Sequence, residues 1–304
     1  MKTISKLASG LALAAISSAA FAGIAQTKHN LGSAQTVGNY TDATTEICIF
    51  CHTPHGANQE TAQVPLWNRV MSTTGYSKYS TLGTTSFDAA EGSIGSVSLA
   101  CLSCHDGTQA MDAMVNTPGA GSRFTGINPG MGGGLTANLA AGSLTGPGGW
   151  NESNVMSTLG NSNQVGLNDN GNHGDVIFLG TDLRNDHPIS MQYGGGGVST
   201  GSPTGSTTDP DYAPATNTTG APGGQTSSGS GSVNSKVLAT GATVFWVDTG
   251  ATGKQKSDFP LFTRGTEVYV ECATCHDPHT TNDLFLRLST GNQNSGVCLT
   301  CHTK

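Results

Sequence analysis

The residues that could do chemistry in this chain are its eight cysteines, and all eight fall into one pattern. They form four C-x-x-C-H units: Cys48-Ile49-Phe50-Cys51-His52, Cys101-Leu102-Ser103-Cys104-His105, Cys272-Ala273-Thr274-Cys275-His276 and Cys298-Leu299-Thr300-Cys301-His302. Two thiols three positions apart lie on one side of a helical turn. There they can form thioethers with the two vinyl groups of one haem, and the next residue's imidazole then sits under the iron as proximal ligand. A redox dithiol or a zinc site needs only C-x-x-C and gives no reason for His to follow in every copy. Four disulfides, the usual reading of eight cysteines in an exported chain, explain neither the spacing nor the histidines. The pattern therefore predicts four covalently bound haem c groups, with His52, His105, His276 and His302 proximal.

The second axial position separates electron transfer from catalysis at iron. Of the nine histidines, five are not proximal: His29, His55, His173, His187 and His279. Four six-coordinate haems need four, so none has to be left open. His55 and His279 stand in a repeated context, Cys51-His52-Thr53-Pro54-His55 and Cys275-His276-Asp277-Pro278-His279. A His three residues after a proximal His cannot easily pass around the macrocycle to the far face of the same haem, but it can reach an adjacent one. Each half of the chain also has an upstream His, His29 and His187. The expected distal set is thus His29, His55, His187 and His279, with each half serving its own two haems and His173 left over. Met111 and Met114 could compete as ligands. With imidazoles in sufficient supply, they are read as packing residues.

Four regions follow. Residues 1–22 read as a signal peptide: Lys2 and Lys6 precede an apolar stretch, Leu7 to Phe21, and Ala20-Phe21-Ala22 is the cleavage signature. Residues 23–118 form the first dihaem region. Residues 119–265 are a Gly/Ser/Thr-rich insertion that contains the His187 segment and short strands. Residues 266–304 form the second dihaem region. Gly119–Gly149 and Gly194–Ser235 read as low-complexity loops. Ala242–Asp248 and Glu267–Val270 read as strands of one hairpin, and short helices are expected at or just after the motifs, as in Ala110–Val115.

Composition sets the fold class. Glycine supplies 43 of 304 residues and aromatics only 6%, so the conventional core is thin. The expected fold is mostly irregular coil with short helices and a few short strands, wrapped around haems that serve as core. The apo chain is expected to be largely unfolded. Loss of Lys2 and Lys6 takes the formal net charge from −7 to −9. That makes nucleic acid an improbable partner. No transmembrane anchor is expected, because the apolar stretch is too short to span a bilayer.

The run Cys272 to His279, then Leu284-Phe285 and Cys298 to His302, resembles the doubled C-x-x-C-H domain of multihaem cytochromes c. The first half is similar through Lys28-His29-Asn30-Leu31, His52-Thr53-Pro54-His55-Gly56, Leu66-Trp67-Asn68-Arg69 and Cys101 to Gly107. The segment Asp182 to Pro188 is similar too. The resemblance implies bis-His haem c, low potential and a role in anaerobic or extracellular respiratory electron transfer, with redox proteins or extracellular acceptors as partners. Some relatives polymerise into extracellular filaments in which an axial His comes from the neighbouring subunit, and His29 would be the residue donated. The expected function is electron transfer rather than enzymatic, in an exported protein of the periplasm or cell surface. Filament subunit and diffusible periplasmic carrier stay open as its form. A multihaem reductase with one open haem, with His173 the place to look, and a structural surface protein are the competing classes.

Overall fold

The computed structural model describes residues 23–32, 40, 45–61, 63–83, 89–111, 113–116, 177–203, 207–212, 233–250 and 254–303. The signal segment, Gly119–Gly149 and His173 lie outside the described residues.

Five strands form one antiparallel sheet: β1 (Met191–Gln192), β2 (Val233–Val237), β3 (Thr243–Val247), β4 (Phe259–Arg264) and β5 (Glu267–Val270), in the order β1-β5-β4-β3-β2. The β3 sequence Thr-Val-Phe-Trp-Val is β-branched and aromatic throughout, which suits a pleated, well-covered strand. Phe245, Trp246 and Val247 are all buried, so this strand is covered on both faces. Both strands read from the sequence are present, but they are not partners. The six residues of β4 lie between them, pairing Leu261 with Phe245 on one side and Phe262 with Tyr269 on the other. The β4–β5 connection is a two-residue loop whose first residue, Gly265, takes φ +60°, as a II′ turn requires.

The sheet core gathers Tyr193, Val198, Val233, Phe245, Val247, Phe259, Leu261, Val268 and Val270. Cys275, Val297 and Cys301 pack against it, so the sheet is the floor on which the third and fourth motifs stand. The link from β3 to β4 is held by two buried aspartates. Asp258 accepts from Thr249 and from the Gln255 amide, and Asp248 accepts from Gly250 and Asn234.

Before its last residues, the described part of the Gly-rich stretch after Gly194 is loop, built of turns and bends. Gly194 at φ +61° and Gly195 at φ +71° turn the chain so tightly that a Cβ on Gly194 would meet Thr207 Cγ2 at 2.3 Å. The strand following this stretch begins at Val233, so its last residues are sheet.

Three α-helices carry motifs: α1 (Ser96–His105), α2 (Cys272–Cys275) and α3 (Gly296–Cys301). The first motif opens on a 3-10 turn, Cys48–Phe50. The described residues of Ala110–Val115 are not helical. Their carbonyls are taken by the buried Arg69, which donates from Nη2 to Ala110 O at 2.8 Å and from Nη1 to Met111 O. The same guanidinium reaches Ser103 Oγ at 2.9 Å and Ser103 O at 2.8 Å. The Val115 amide, which a helix would direct to Met111 O, donates instead to Asn68 O at 2.7 Å, and Ala113 closes only a tight turn onto Ala110 O at 3.0 Å. Met111 and Met114 join Phe50 in a second core that Cys51 and Cys104 also touch.

Candidate functional site

Each C-x-x-C-H unit is built locally in the same way. The motif histidine's amide returns to the carbonyl of the first cysteine: His52 to Cys48 at 2.7 Å, His276 to Cys272 at 3.1 Å and His302 to Cys298 at 2.9 Å. That turn sets the two thiols on one side, with the imidazole next to them. None of the eight cysteines is in a disulfide. Burial pushes the Cys51 and Cys275 thiols up to about 12, and Cys301 upward as well. Thiols so raised are poor nucleophiles and poor disulfide exchangers.

The imidazoles are oriented by backbone. Nδ1 of His52 lies 2.8 Å from Pro65 O, that of His105 2.7 Å from Ile177 O, and that of His276 2.8 Å from Leu284 O. A carbonyl can only accept, so Nδ1 carries the proton in each ring and Nε2 keeps its lone pair. This is the tautomer of a metal-binding histidine held by a second shell. Two of the presenting loops are strained. Leu66, next to Pro65, takes φ +56°, and Leu284 takes φ +51°. Branched residues in the left-handed region are costly and persist where the surroundings impose them.

The second and third motifs are clamped to one another. Glu271, 2% exposed, precedes Cys272 and accepts from Ser98 Oγ in α1. Ser190 Oγ is 3.2 Å from its Oε2, and Arg264 Nη2 is 3.2 Å from its Oε1, close but not aligned as a hydrogen bond. The Cys272 amide donates back to Ser98 Oγ at 3.0 Å. The carboxylate also takes the place of a side-chain cap on α1, which begins at Gly95 without one. It caps α2 too, through a capping box with Thr274. The Cys101 and Cys272 sulfurs lie within hydrogen-bonding reach as a result.

The histidines outside the motifs are distributed unevenly. His279 lies across from His52, with ring centres 6.3 Å apart and planes 16° apart. His29 lies across from His105, at 6.2 Å and 78°, and stacks on Phe285 at 4.2 Å. The Pro278 carbonyl lies beside its ring, and its Nδ1 is buried without an aligned hydrogen-bond partner. Desolvation first, then the charge of His105, pulls its pKa down to about 4. His187 is exposed at one edge and crowded at the other. Desolvation, then the charges of His302 and His276, lowers its pKa. His302 packs against Tyr212 at 4.4 Å. His55 is exposed beside the first motif, and its carbonyl accepts from Asn116. Ring contacts thus cross between the two halves of the chain. A residue of the last motif pair faces the first motif, and His29 packs against the segment 276–285 that contains His279.

Residues 267–304 match a family model described as a doubled CXXCH motif. No curated protein matches the chain. The doubled motif indicates covalently bound haem c and an electron carrier of the c-type cytochrome kind.

The side chains fit that group. Paired thiols on a helical turn, with a neighbouring imidazole whose Nε2 is left unprotonated, are the donor set haem c requires. Among the described residues, no three His, Cys, Asp or Glu side chains converge as they would to hold a bare ion. Cys272, Cys275 and His276, and Cys298, Cys301 and His302, would hold the haems of the matched region. The haem supplies the one-electron chemistry when bound. The protein's part is to fix imidazole orientation through the Leu284 carbonyl and to wall the thioether side with the sheet core. Sequence reasoning missed Glu271, Arg69 and Asn68 as supports. Asn68 Nδ2 donates to Ile49 O at 2.6 Å and Asn116 O at 2.8 Å, bracing the first motif.

Proposed function

We propose that this protein is an exported tetrahaem c-type cytochrome that passes electrons through bis-His haems and transforms no substrate of its own. The observation that carries the reading is the shared donor arrangement. Four C-x-x-C-H units occur, and in three of them Nδ1 is tied to a backbone carbonyl, which leaves Nε2 for iron. Imidazoles supplied on both sides of each iron leave no coordination site for a substrate, and they favour electron exchange with little rearrangement. The polypeptide then wraps the four haems, with the small sheet as the largest of its apolar clusters among the described residues.

Redox proteins or extracellular acceptors are the partners of such a carrier. A formal net charge of −7 favours partners with basic patches over nucleic acid. No helix among the described residues is long and apolar enough to cross a membrane. If the chain assembles into filaments, the nearness of His29 to His105 favours a role within its own chain over donation to a neighbour, and the exposed His55 is then the better imidazole for a neighbouring subunit.

The test is the intact mass and the spectrum of the native protein. The expected mass is that of the processed chain plus four haems, with uniformly low-spin ferric absorption. A mass with no haem added refutes the reading. High-spin ferric haem, or carbon monoxide binding to the reduced protein without loss of a ligand, would shift it to the reductase class. Electron microscopy of the secreted fraction separates filament from diffusible carrier.

A further inference from the structure

We propose that His279 is the second axial ligand of the haem held by Cys48, Cys51 and His52, and that His29 is the second ligand of the haem held by Cys101, Cys104 and His105. This rests on the haem reading above and assigns the partners within it.

The geometry of two ring pairs carries the assignment. A metal–nitrogen bond of about 2 Å on each side, plus roughly 1 Å from each nitrogen to its ring centre, puts two axial imidazoles about 6 Å apart. The pairs His52–His279 and His29–His105 stand at 6.3 Å and 6.2 Å. Ordinary contact explains the first pair poorly. Its planes are only 16° apart, and near-parallel rings that touched face to face would be much closer. The nitrogens point to the same conclusion. Nδ1 of His52 and of His105 is bonded to a carbonyl, and Nδ1 of His279 faces Asp277 Oδ1 at 3.2 Å. A carboxylate beside the second nitrogen is a common support for a ligating histidine. In these three rings Nε2 is the nitrogen left to bind.

The backbone holds the pairs in place. The segment carrying His29 is seated on the segment carrying His279, so closely that a Cβ on Gly23 would lie 2.4 Å from His279 O. Phe285, stacked on His29, belongs to the same loop as Leu284, whose carbonyl orients His276. One short stretch, 276–285, thus bears the proximal ligand of the third haem, the distal ligand of the first, and the ring that positions the distal ligand of the second. The His52–His279 pairing crosses the two halves, whereas His29–His105 stays within the first.

The two pairs also differ in a way that spectroscopy reads. Near-parallel imidazole planes split the iron d orbitals and give a rhombic low-spin resonance. Near-perpendicular planes leave two of those orbitals almost degenerate and give one large g value. The expected electron paramagnetic resonance spectrum of the fully loaded ferric protein therefore contains both types. A spectrum of one type only overturns the proposal without any variant. His279→Met should remove a rhombic signal and move one haem's near-infrared charge-transfer band to the His/Met position. His29→Met should remove a large-g signal instead. In a Cys48→Ala/Cys51→Ala background, which lacks the first haem, His279→Met should change nothing further in the spectrum. A change that persists there overturns the His279 assignment. Haem mass is checked in every sample. A wild-type protein carrying no haem sinks the haem reading itself, whereas full loading with additive spectral changes sinks only the pairing.

Discussion

Replacing Glu271 should loosen the joint between the second and third motifs more than any single surface change. In Glu271→Ala the hydroxyls of Ser98 and Ser190 lose their acceptor, α1 loses the anion at its N-terminus, and Arg264 is left beside a hole. Hydrogen bonds to charged groups contribute about 1.5–3 kcal/mol each. The carboxylate's own desolvation offsets part of that sum. Breaking a buried charged cluster by removing one partner costs about 3–5 kcal/mol, and that is the expected loss. Glu271→Gln keeps an acceptor for Ser98 and removes the buried charge, so its cost should be about 1–2 kcal/mol. The pH dependence separates the two effects. Burial raises the Glu271 pKa above its ordinary 4.5, despite the lowering influence of Ser98 and Arg264. The folded protein therefore holds this proton to higher pH than the unfolded chain does. From pH 4.5 up to the raised value the unfolded state binds fewer protons, so this residue's contribution to stability falls as pH rises. The Gln variant lacks that slope. The assay is urea unfolding of the haem-loaded protein, followed together by far-ultraviolet circular dichroism and the Soret band, at a series of pH values. Coincident transitions license the free-energy comparison. An Ala variant as stable as wild type, or parallel pH profiles for wild type and Gln, would refute the clamp.

Arg69→Lys should destabilise the protein by about 2–4 kcal/mol, because an ammonium cannot reproduce the fork that reaches Ser103, Ala110 and Met111 together; urea midpoints check this. Phe245→Ala, in the middle of the sheet core, should cost about 3–5 kcal/mol and weaken the floor beneath the third and fourth motifs, so that the Soret band broadens at lower urea than in wild type.

What the sequence disclosed was local. A C-x-x-C-H unit states its own turn, and the run Val244–Val247 states its own strand. Strand β4 was hidden by Pro260, a residue that argues against a strand interior. The register resolves the conflict. Pro260 pairs with Trp246 on the β3 side, while β5 engages β4 only from Phe262 onward, so the missing amide falls where no partner is needed. The expected helix at Ala110–Val115 failed for a different reason. Asn68 and Arg69 lie more than forty positions upstream, and nothing in the local pattern shows that the chain at Met114 and Val115 will pair with them instead of coiling on itself. The placing of His279 beside His52 was likewise beyond a reading that paired each histidine with its own half. Sequence spacing limits what a residue cannot reach, but it does not choose among the distant places that it can.

The bond between Ser98 and Glu271 closes a span of 173 positions, and the one from Gln63 to Thr263 a span of 200. Contacts of such high order form slowly, since the entropy of closing a long loop is lost before any contact repays it. During synthesis the first two motifs emerge with their local braces, Asn68 and Arg69, but long before Glu271 and His279. Until that later chain arrives, the first half lacks the contacts that join it to the last motifs. Assembly of this molecule is thus tied to completion of the polypeptide, and a nascent or truncated chain would stand open to proteases through most of its length.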